Sequence, residues 1–141
     1  MSRYFKLEEF LTSSTARQKS IENLPSFDVV ENIKKLADFL DKLREDWGSG
    51  INISSGFRTR ALNAEVGGVD NSVHTIGYAA DLVPSNGKMK EFKVFCTEWF
   101  KDKVFDELIV EKNNKGKEWI HLQLYSPNGF QRKKIFKLDV A

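Results

Sequence analysis

The sequence predicts an α+β fold in which helices pack on one central antiparallel sheet. Three observations predict this class. Apolar residues recur at helical spacing over 29–47, and again on one side of 88–101. Five shorter segments have the pattern of strands. The last three of them follow one another as an antiparallel run with no helix between them, which is typical of α+β proteins.

Capping and turn residues define each element in chain order. Pro25 and Ser26 mark the start of the main helix and glycines stop it at 48–50, while Thr59 caps a short helix that Gly67 and Gly68 end. A turn at 113–116 joins two strands as a hairpin. The predicted helices are an entry over 5–21, the main helix over 26–47, a short helix over 59–66 and an amphipathic helix over 88–101. The predicted strands are 51–54, 78–83, 107–111, 119–124 and 130–138.

Length and composition limit the function. A chain of 141 residues predicts a single domain over 1–141, with a mainly helical entry over 1–48 and the sheet and metal-site core over 50–138. The net charge of +2 does not favour a nucleic-acid partner. No apolar run approaches the roughly 20 residues of a membrane span. Residues 1–6 lack the apolar segment of a secretory signal. We expect a monomer made in the cytoplasm.

The only two histidines, His74 and His121, each lie in a short block that resembles half of a metal site. Two imidazoles and one carboxylate are typical protein ligands of a catalytic zinc, with a fourth position for water. Asp81 can supply the carboxylate if the chain folds back at Gly77, where glycine tolerates a positive φ. A lone histidine in a strand is more often structural, however, and short patterns recur by chance.

A second carboxylate would act as general base toward the attacking water. Glu118 is the first candidate, although alternate residues of a strand face opposite sides. It can share a site with His121 only if the strand begins after it or carries a bulge. Glu111, on the partner strand, is the reserve candidate. On the strand of His121, Trp119 and Gln123 are expected to share its face.

Three further polar residues allow a structural or a functional interpretation. Arg58 follows a Ser-Gly-Phe turn and either forms an exposed salt bridge or binds an anionic group or a developing oxyanion. Ser72 either caps a turn or binds substrate. Asn63 is interpreted as a surface residue of its helix.

Together these blocks resemble the zinc D-Ala-D-Ala carboxypeptidases and related phage endolysins, the M15 peptidases. The resemblance covers about residues 50–125. Its matched segments are Ser-Gly-Phe-Arg at 55–58, Asn63, Val-Gly-Gly at 66–68, Ser-Val-His at 72–74, Gly77, Ala79, Asp81 and Trp-Ile-His at 119–121. Phe57 stands where the family usually has tyrosine, and Thr59 where it usually has serine.

The resemblance implies a Hedgehog/DD-peptidase-like fold and one Zn²⁺ per chain. It also implies the following roles: His74, Asp81 and His121 as zinc ligands, Glu118 as catalytic base, Arg58 as a catalytic and substrate-binding residue, and Ser72 as a substrate-binding residue. The implied substrate is the stem peptide of bacterial peptidoglycan, cut either by a carboxypeptidase or by an endopeptidase.

We therefore expect a zinc peptidase that cleaves an amide bond of the bacterial cell wall. Without a wall-binding domain or a signal peptide, the chain most resembles a phage or prophage product that acts on the wall after release. The alternative is a non-catalytic zinc-containing module that binds the wall or a partner, for example a phage structural component.

Overall fold

A five-stranded sheet with strand order β1-β2-β4-β3-β5 forms the centre of this computed structural model. The structure describes residues 2–141; Met1, which belongs to the predicted domain and N-terminal segment, lies outside the described residues. The strands are β1 Ile51–Ser55, β2 Ala79–Pro84, β3 Glu107–Lys112, β4 Glu118–Gln123 and β5 Lys134–Asp139. The helices are α1 Leu7–Leu11, α2 Ser14–Gln18, α3 Phe27–Trp47, α4 Arg60–Glu65 and α5 Met89–Trp99.

The main helix α3 begins and ends where its capping residues predict. The Ser26 hydroxyl accepts a hydrogen bond from the Val29 backbone N–H at 3.3 Å, and Gly48 ends the helix in the left-handed conformation with φ of 79°. The predicted helical entry is two short helices, α1 and α2, because Thr12 and Ser13 adopt extended backbone between them.

The core lies between the helices and one face of the sheet. The buried side of α3, which includes Leu36 and Leu40, shares one apolar cluster with Phe92 of α5 and with Ile120 and Leu122 of β4. Because successive strand residues point to opposite faces, the odd-numbered residues of β4 are directed away from this core. The predicted α+β fold with helices packed on a sheet is confirmed.

The last strand differs from the predicted antiparallel run, because β5 pairs parallel to β3. After β4 the chain crosses the end of the sheet over 124–133 instead of making a tight hairpin. Arg132 then donates hydrogen bonds to Asp106, which directly precedes β3, and this contact places Lys134 beside Glu107. Both strands therefore start at the same end of the sheet.

None of the helices in residues 2–141 combines the length and the apolar composition that a membrane crossing requires.

Candidate metal centre

His74 lies in a single 3₁₀ turn, Val73–Ile76, and is almost fully buried. Its backbone N–H donates to the Ser72 hydroxyl at 3.2 Å, and its ring Nδ1 lies 2.7 Å from the Gly56 carbonyl oxygen. Gly77 ends the turn with φ of 84°, as the predicted chain reversal requires. The Nε2 atom is thereby directed towards β2.

Asp81 and His121 are brought together by strand pairing. They are direct partners in the antiparallel register of β2 and β4. The Asp81 Oδ1 atom lies 3.0 Å from His121 Nδ1 and 3.4 Å from His74 Nε2. One nitrogen from each ring and one carboxylate oxygen all lie within 4.8 Å of one another. The structure thus brings together the three residues that the sequence proposes as ligands.

The geometry of this group fits a zinc ion. Bonds of about 2 Å to nitrogen and oxygen place the ligand atoms of a tetrahedral zinc about 3.3 Å apart. The two distances from Asp81 Oδ1, 3.0 Å and 3.4 Å, lie on either side of that value. Two imidazoles and one carboxylate also leave a coordination position for substrate or water, as catalytic zinc sites do.

Burial and mutual charge set the protonation of the three groups. Burial lowers the pKa of His74, which favours the neutral ring that a metal requires. Burial acts to raise the pKa of Asp81, but the charges and hydrogen bonds of the two imidazoles hold it well below its usual range. Burial acts to lower the pKa of His121, but the hydrogen bond and charge of Asp81 raise the pKa of this ring above its ordinary value.

Glu118, the first candidate base, lies on the other face of the sheet. The pairing of β4 with β3 runs in continuous register from Glu118 to Gln123 without a bulge, so Glu118 and His121 point in opposite directions. The Glu118 carboxylate accepts a hydrogen bond from the Lys93 ammonium of α5 at 2.8 Å. Although Glu118 lies three residues before His121, the structure does not bring its carboxylate to the site.

The carboxylate of Glu111, the reserve candidate, lies beside the three proposed ligands, where the Glu118 carboxylate does not reach. Its Oε1 atom lies 3.9 Å from His121 Nδ1 and accepts a hydrogen bond from the Trp119 indole N–H at 2.9 Å. Trp119 is its direct partner across the β3–β4 pair, which fixes the carboxylate on the face of His121. Burial raises the pKa of Glu111 above its ordinary value, in the direction that suits a general base.

Arg58 and Ser72 lie at the same centre. An Arg58 Nη2 atom lies 3.5 Å from the Ser72 hydroxyl oxygen, and the backbone N–H of Arg58 donates to the His74 carbonyl oxygen at 3.0 Å. The buried Nε of Arg58 has no hydrogen-bond partner among the described residues. Burial lowers the pKa of this guanidinium, and the negative charges of Asp81 and Glu111 partly offset that effect. The guanidinium stays charged at neutral pH.

The family model described as Peptidase M15 matches residues 3–123, which include α1 through β4 and the whole centre. The chain belongs to the Peptidase M15 family. This confirms the family resemblance found in the sequence and makes the chain a member of a family of metal-dependent peptidases. No curated protein matches the sequence.

In this M15 peptidase the three clustered residues line a cleft of about 510 Å³ together with Glu111, Arg58 and Ser72. The loop over 66–71 forms one side of the cleft, and Leu138 of β5 and Val140, just after β5, form part of another. Since β5 lies beyond residue 123, that wall is outside the part of the chain that the family model matches.

Asn63 is not the surface residue that the sequence suggested. It is buried, and its side-chain amide donates to the Val69 carbonyl oxygen at 2.8 Å while its backbone carbonyl accepts from Gly68. A Cβ atom at Gly68 would collide with this amide. Asn63 therefore holds the loop that borders the cleft, and the glycines that follow its helix were the available signal for that packing.

Proposed function

We propose that this M15 peptidase uses zinc to hydrolyse an amide bond in the stem peptides of peptidoglycan. One observation carries the proposal: His74, Asp81 and His121 converge within 4.8 Å in a cleft that also contains a carboxylate and a guanidinium. A purely structural zinc has no use for the additional acid–base groups. The peptidoglycan substrate rests on the family resemblance of the sequence.

The proposed ligands are His74, Asp81 and His121. Zinc, when bound, supplies a Lewis acid that lowers the pKa of a water molecule and polarises a carbonyl group. Glu111 accepts the proton of the attacking water and passes it to the leaving amine. The Trp119 indole fixes one oxygen of this carboxylate by its hydrogen bond, so the second oxygen is available for the proton.

Arg58 stabilises negative charge on the substrate. Its guanidinium is held at the cleft beside Ser72, and its Nε–H forms no hydrogen bond with any residue of 2–141. Such groups bind either the oxyanion that develops at the carbonyl or the terminal carboxylate of a peptide. The first role serves an endopeptidase and a carboxypeptidase alike, whereas the second serves a carboxypeptidase alone.

Digestion of purified peptidoglycan tests the proposal. The protein is incubated with the polymer in the presence of zinc, and in parallel after removal of metal with a chelator. We expect new amino groups only in the first reaction, with activity restored when zinc is added back. Mass spectrometry of the released muropeptides then shows whether the bond cut is terminal or internal. Binding of the polymer without release of amines would contradict the proposal and support a non-catalytic binding module.

A further inference from the structure

We propose that Gln123, anchored by Asp106, is a positioning residue that keeps a proton on Nε2 of His121 and so leaves Nδ1 as the nitrogen that serves the metal. The inference rests on the proposed zinc site. It concerns three side chains that are hydrogen-bonded in series, Asp106, Gln123 and His121. The series runs from the residue just before β3 to the centre of the cleft.

Asp106 is the fixed end of this hydrogen-bonded series. It is fully buried, and its carboxylate accepts hydrogen bonds from Arg132 Nε and Nη2 at 2.8 Å each and from the Arg132 backbone N–H at 3.1 Å. Burial acts to raise the pKa of Asp106, but the hydrogen bonds of Arg132 and Gln123 hold it below its ordinary value. Asp106 is thus a carboxylate at neutral pH, and a carboxylate can only accept hydrogen bonds.

The acceptor character of Asp106 fixes the orientation of the Gln123 amide. The Gln123 Nε2 atom donates to Asp106 Oδ2 at 2.6 Å. With the amide reversed, its carbonyl oxygen would face a buried carboxylate oxygen at the same short distance, and both acceptors would be left unpaired. The Gln123 Oε1 atom therefore points away from Asp106.

The amide orientation in turn fixes His121. The Gln123 Oε1 atom lies 3.3 Å from His121 Nε2, and since a carbonyl oxygen only accepts, that nitrogen carries the proton. The other ring nitrogen, Nδ1, lies 3.0 Å from Asp81 Oδ1, so without metal the same rule places a proton on Nδ1 as well, and a metal bound at Nδ1 displaces that proton while the one on Nε2 stays. A hydrogen-bond partner on the outer nitrogen is the usual device that orients a ligating histidine and raises its basicity.

In His74 the roles of the two ring nitrogens are reversed. Its Nδ1 atom lies 2.7 Å from the Gly56 carbonyl oxygen, so this nitrogen carries the proton and Nε2 is directed towards Asp81. The two histidines thus present different nitrogens to the same carboxylate. The backbone carbonyl of Gly56 fixes the protonated nitrogen of His74, and the side chain of Gln123 fixes that of His121.

Nuclear magnetic resonance of ¹⁵N-labelled protein tests the inference, because only two imidazoles contribute to the spectrum. In the metal-free protein we expect a proton on His121 Nε2 that exchanges slowly with solvent. In the zinc-loaded protein the protonated nitrogens are expected to be Nε2 of His121 and Nδ1 of His74. An unprotonated His121 Nε2 in either form would overturn the inference.

Gln123→Met keeps the length of the side chain and removes both hydrogen bonds. We expect faster exchange at His121 Nε2, an unchanged His74 spectrum, and a zinc dissociation constant raised about tenfold or more, measured by competition with a chelator. Gln131→Met is the matched control, because the Gln131 amide donates to the Leu124 carbonyl oxygen and, among residues 2–141, forms no hydrogen bond with the three side chains of the inference. Equal zinc affinity and equal exchange in the two variants would overturn the inference.

Failure of the proposed function is a separate result. If the wild-type protein takes up no zinc, the metal-free measurement still reports the proton on His121 Nε2. A protected proton there that Gln123→Met exposes supports the positioning role even then.

Discussion

At the scale of single residues, Glu111 and Glu118 form a matched pair that tests the assignment of the general base. Glu111→Gln keeps an acceptor for the Trp119 indole but cannot take a proton, so we expect peptidase activity to fall about a hundredfold or more. Glu118→Gln removes only a partly buried ion pair with Lys93 on the other face of the sheet, and activity should stay within about twofold of wild type. Rates of amine release with saturating zinc measure both effects.

Measurement of bound zinc distinguishes loss of the general base from loss of the metal. Both glutamine variants should bind one zinc per chain with the affinity of the wild type, because neither residue is a proposed ligand. A Glu118→Gln variant that loses activity while Glu111→Gln keeps it would reverse the assignment.

The difference between these glutamates also shows how far the sequence predicts the site. Strand alternation alone places Trp119, His121 and Gln123 on one face, and the structure agrees. Alternation also places Glu118 on the opposite face, and only a bulge or a strand that began after Glu118 would have changed that; the structure has neither. The nearness of Glu111 depends on its register opposite Trp119, which spacing along one strand does not encode. The link from Gln123 to Asp106 depends on the same register.

At the scale of elements, the turn that carries His74 depends on the absence of a side chain at Gly77. Its φ is 84°, and a Cβ atom would lie 3.0 Å from the Val29 carbonyl oxygen of α3. We expect Gly77→Ala to lower the free energy of unfolding by about 3 kcal/mol, from backbone strain together with displacement of α3. Urea denaturation measures the change, and zinc affinity should fall with it because His74 moves.

Gly87→Ala is the control for the strain alone. Gly87 has φ of 76°, close to that of Gly77, but a Cβ atom there would have no neighbour within 4 Å. The expected cost is about 1 kcal/mol, without an effect on zinc affinity. Equal losses in the two variants would mean that contact with α3 contributes nothing.

The attachment of β5 to β3 should depend on pH through Asp106. Its pKa is lowered in the folded protein: burial acts to raise it, but hydrogen bonds from Arg132 and Gln123 outweigh burial. A lowered pKa stabilises the fold above the unfolded-state value of about 3.9, and this contribution is lost as pH falls through the folded value. Asp106→Asn should therefore cost about 2 kcal/mol at neutral pH, and the difference from wild type should shrink below about pH 4.

Urea denaturation of both proteins over a pH series measures this difference. A deficit that stays constant down to strongly acidic pH would show that the charge of Asp106 is not responsible. The same ion pair explains why the direction of β5 was not predictable from sequence. A segment of ten residues over 124–133 can return a strand in either direction, and the choice depends on a contact between Arg132 and Asp106, 26 positions apart.

At the scale of the whole molecule, the proposed zinc would join segments that are remote along the chain. His74 follows α4, Asp81 lies on β2, and His121 lies on β4 some 40 positions later. A ligand that binds only the folded state stabilises it by about 4 kcal/mol when its concentration is a thousand times the dissociation constant. For a chain of this length that corresponds to a rise in melting temperature of about 10 °C or more.

Thermal unfolding with and without zinc measures this rise, and His121→Ala should abolish it because the segment that is most distant in sequence loses its ligand. Glu111→Gln should keep the full rise, since Glu111 contributes to chemistry and not to coordination in the proposed arrangement. A rise of equal size in wild type and His121→Ala would place the stabilising ion elsewhere on the molecule. A rise in wild type that Glu111→Gln loses would instead make Glu111 a ligand, and the base would have to be sought among other groups of the cleft.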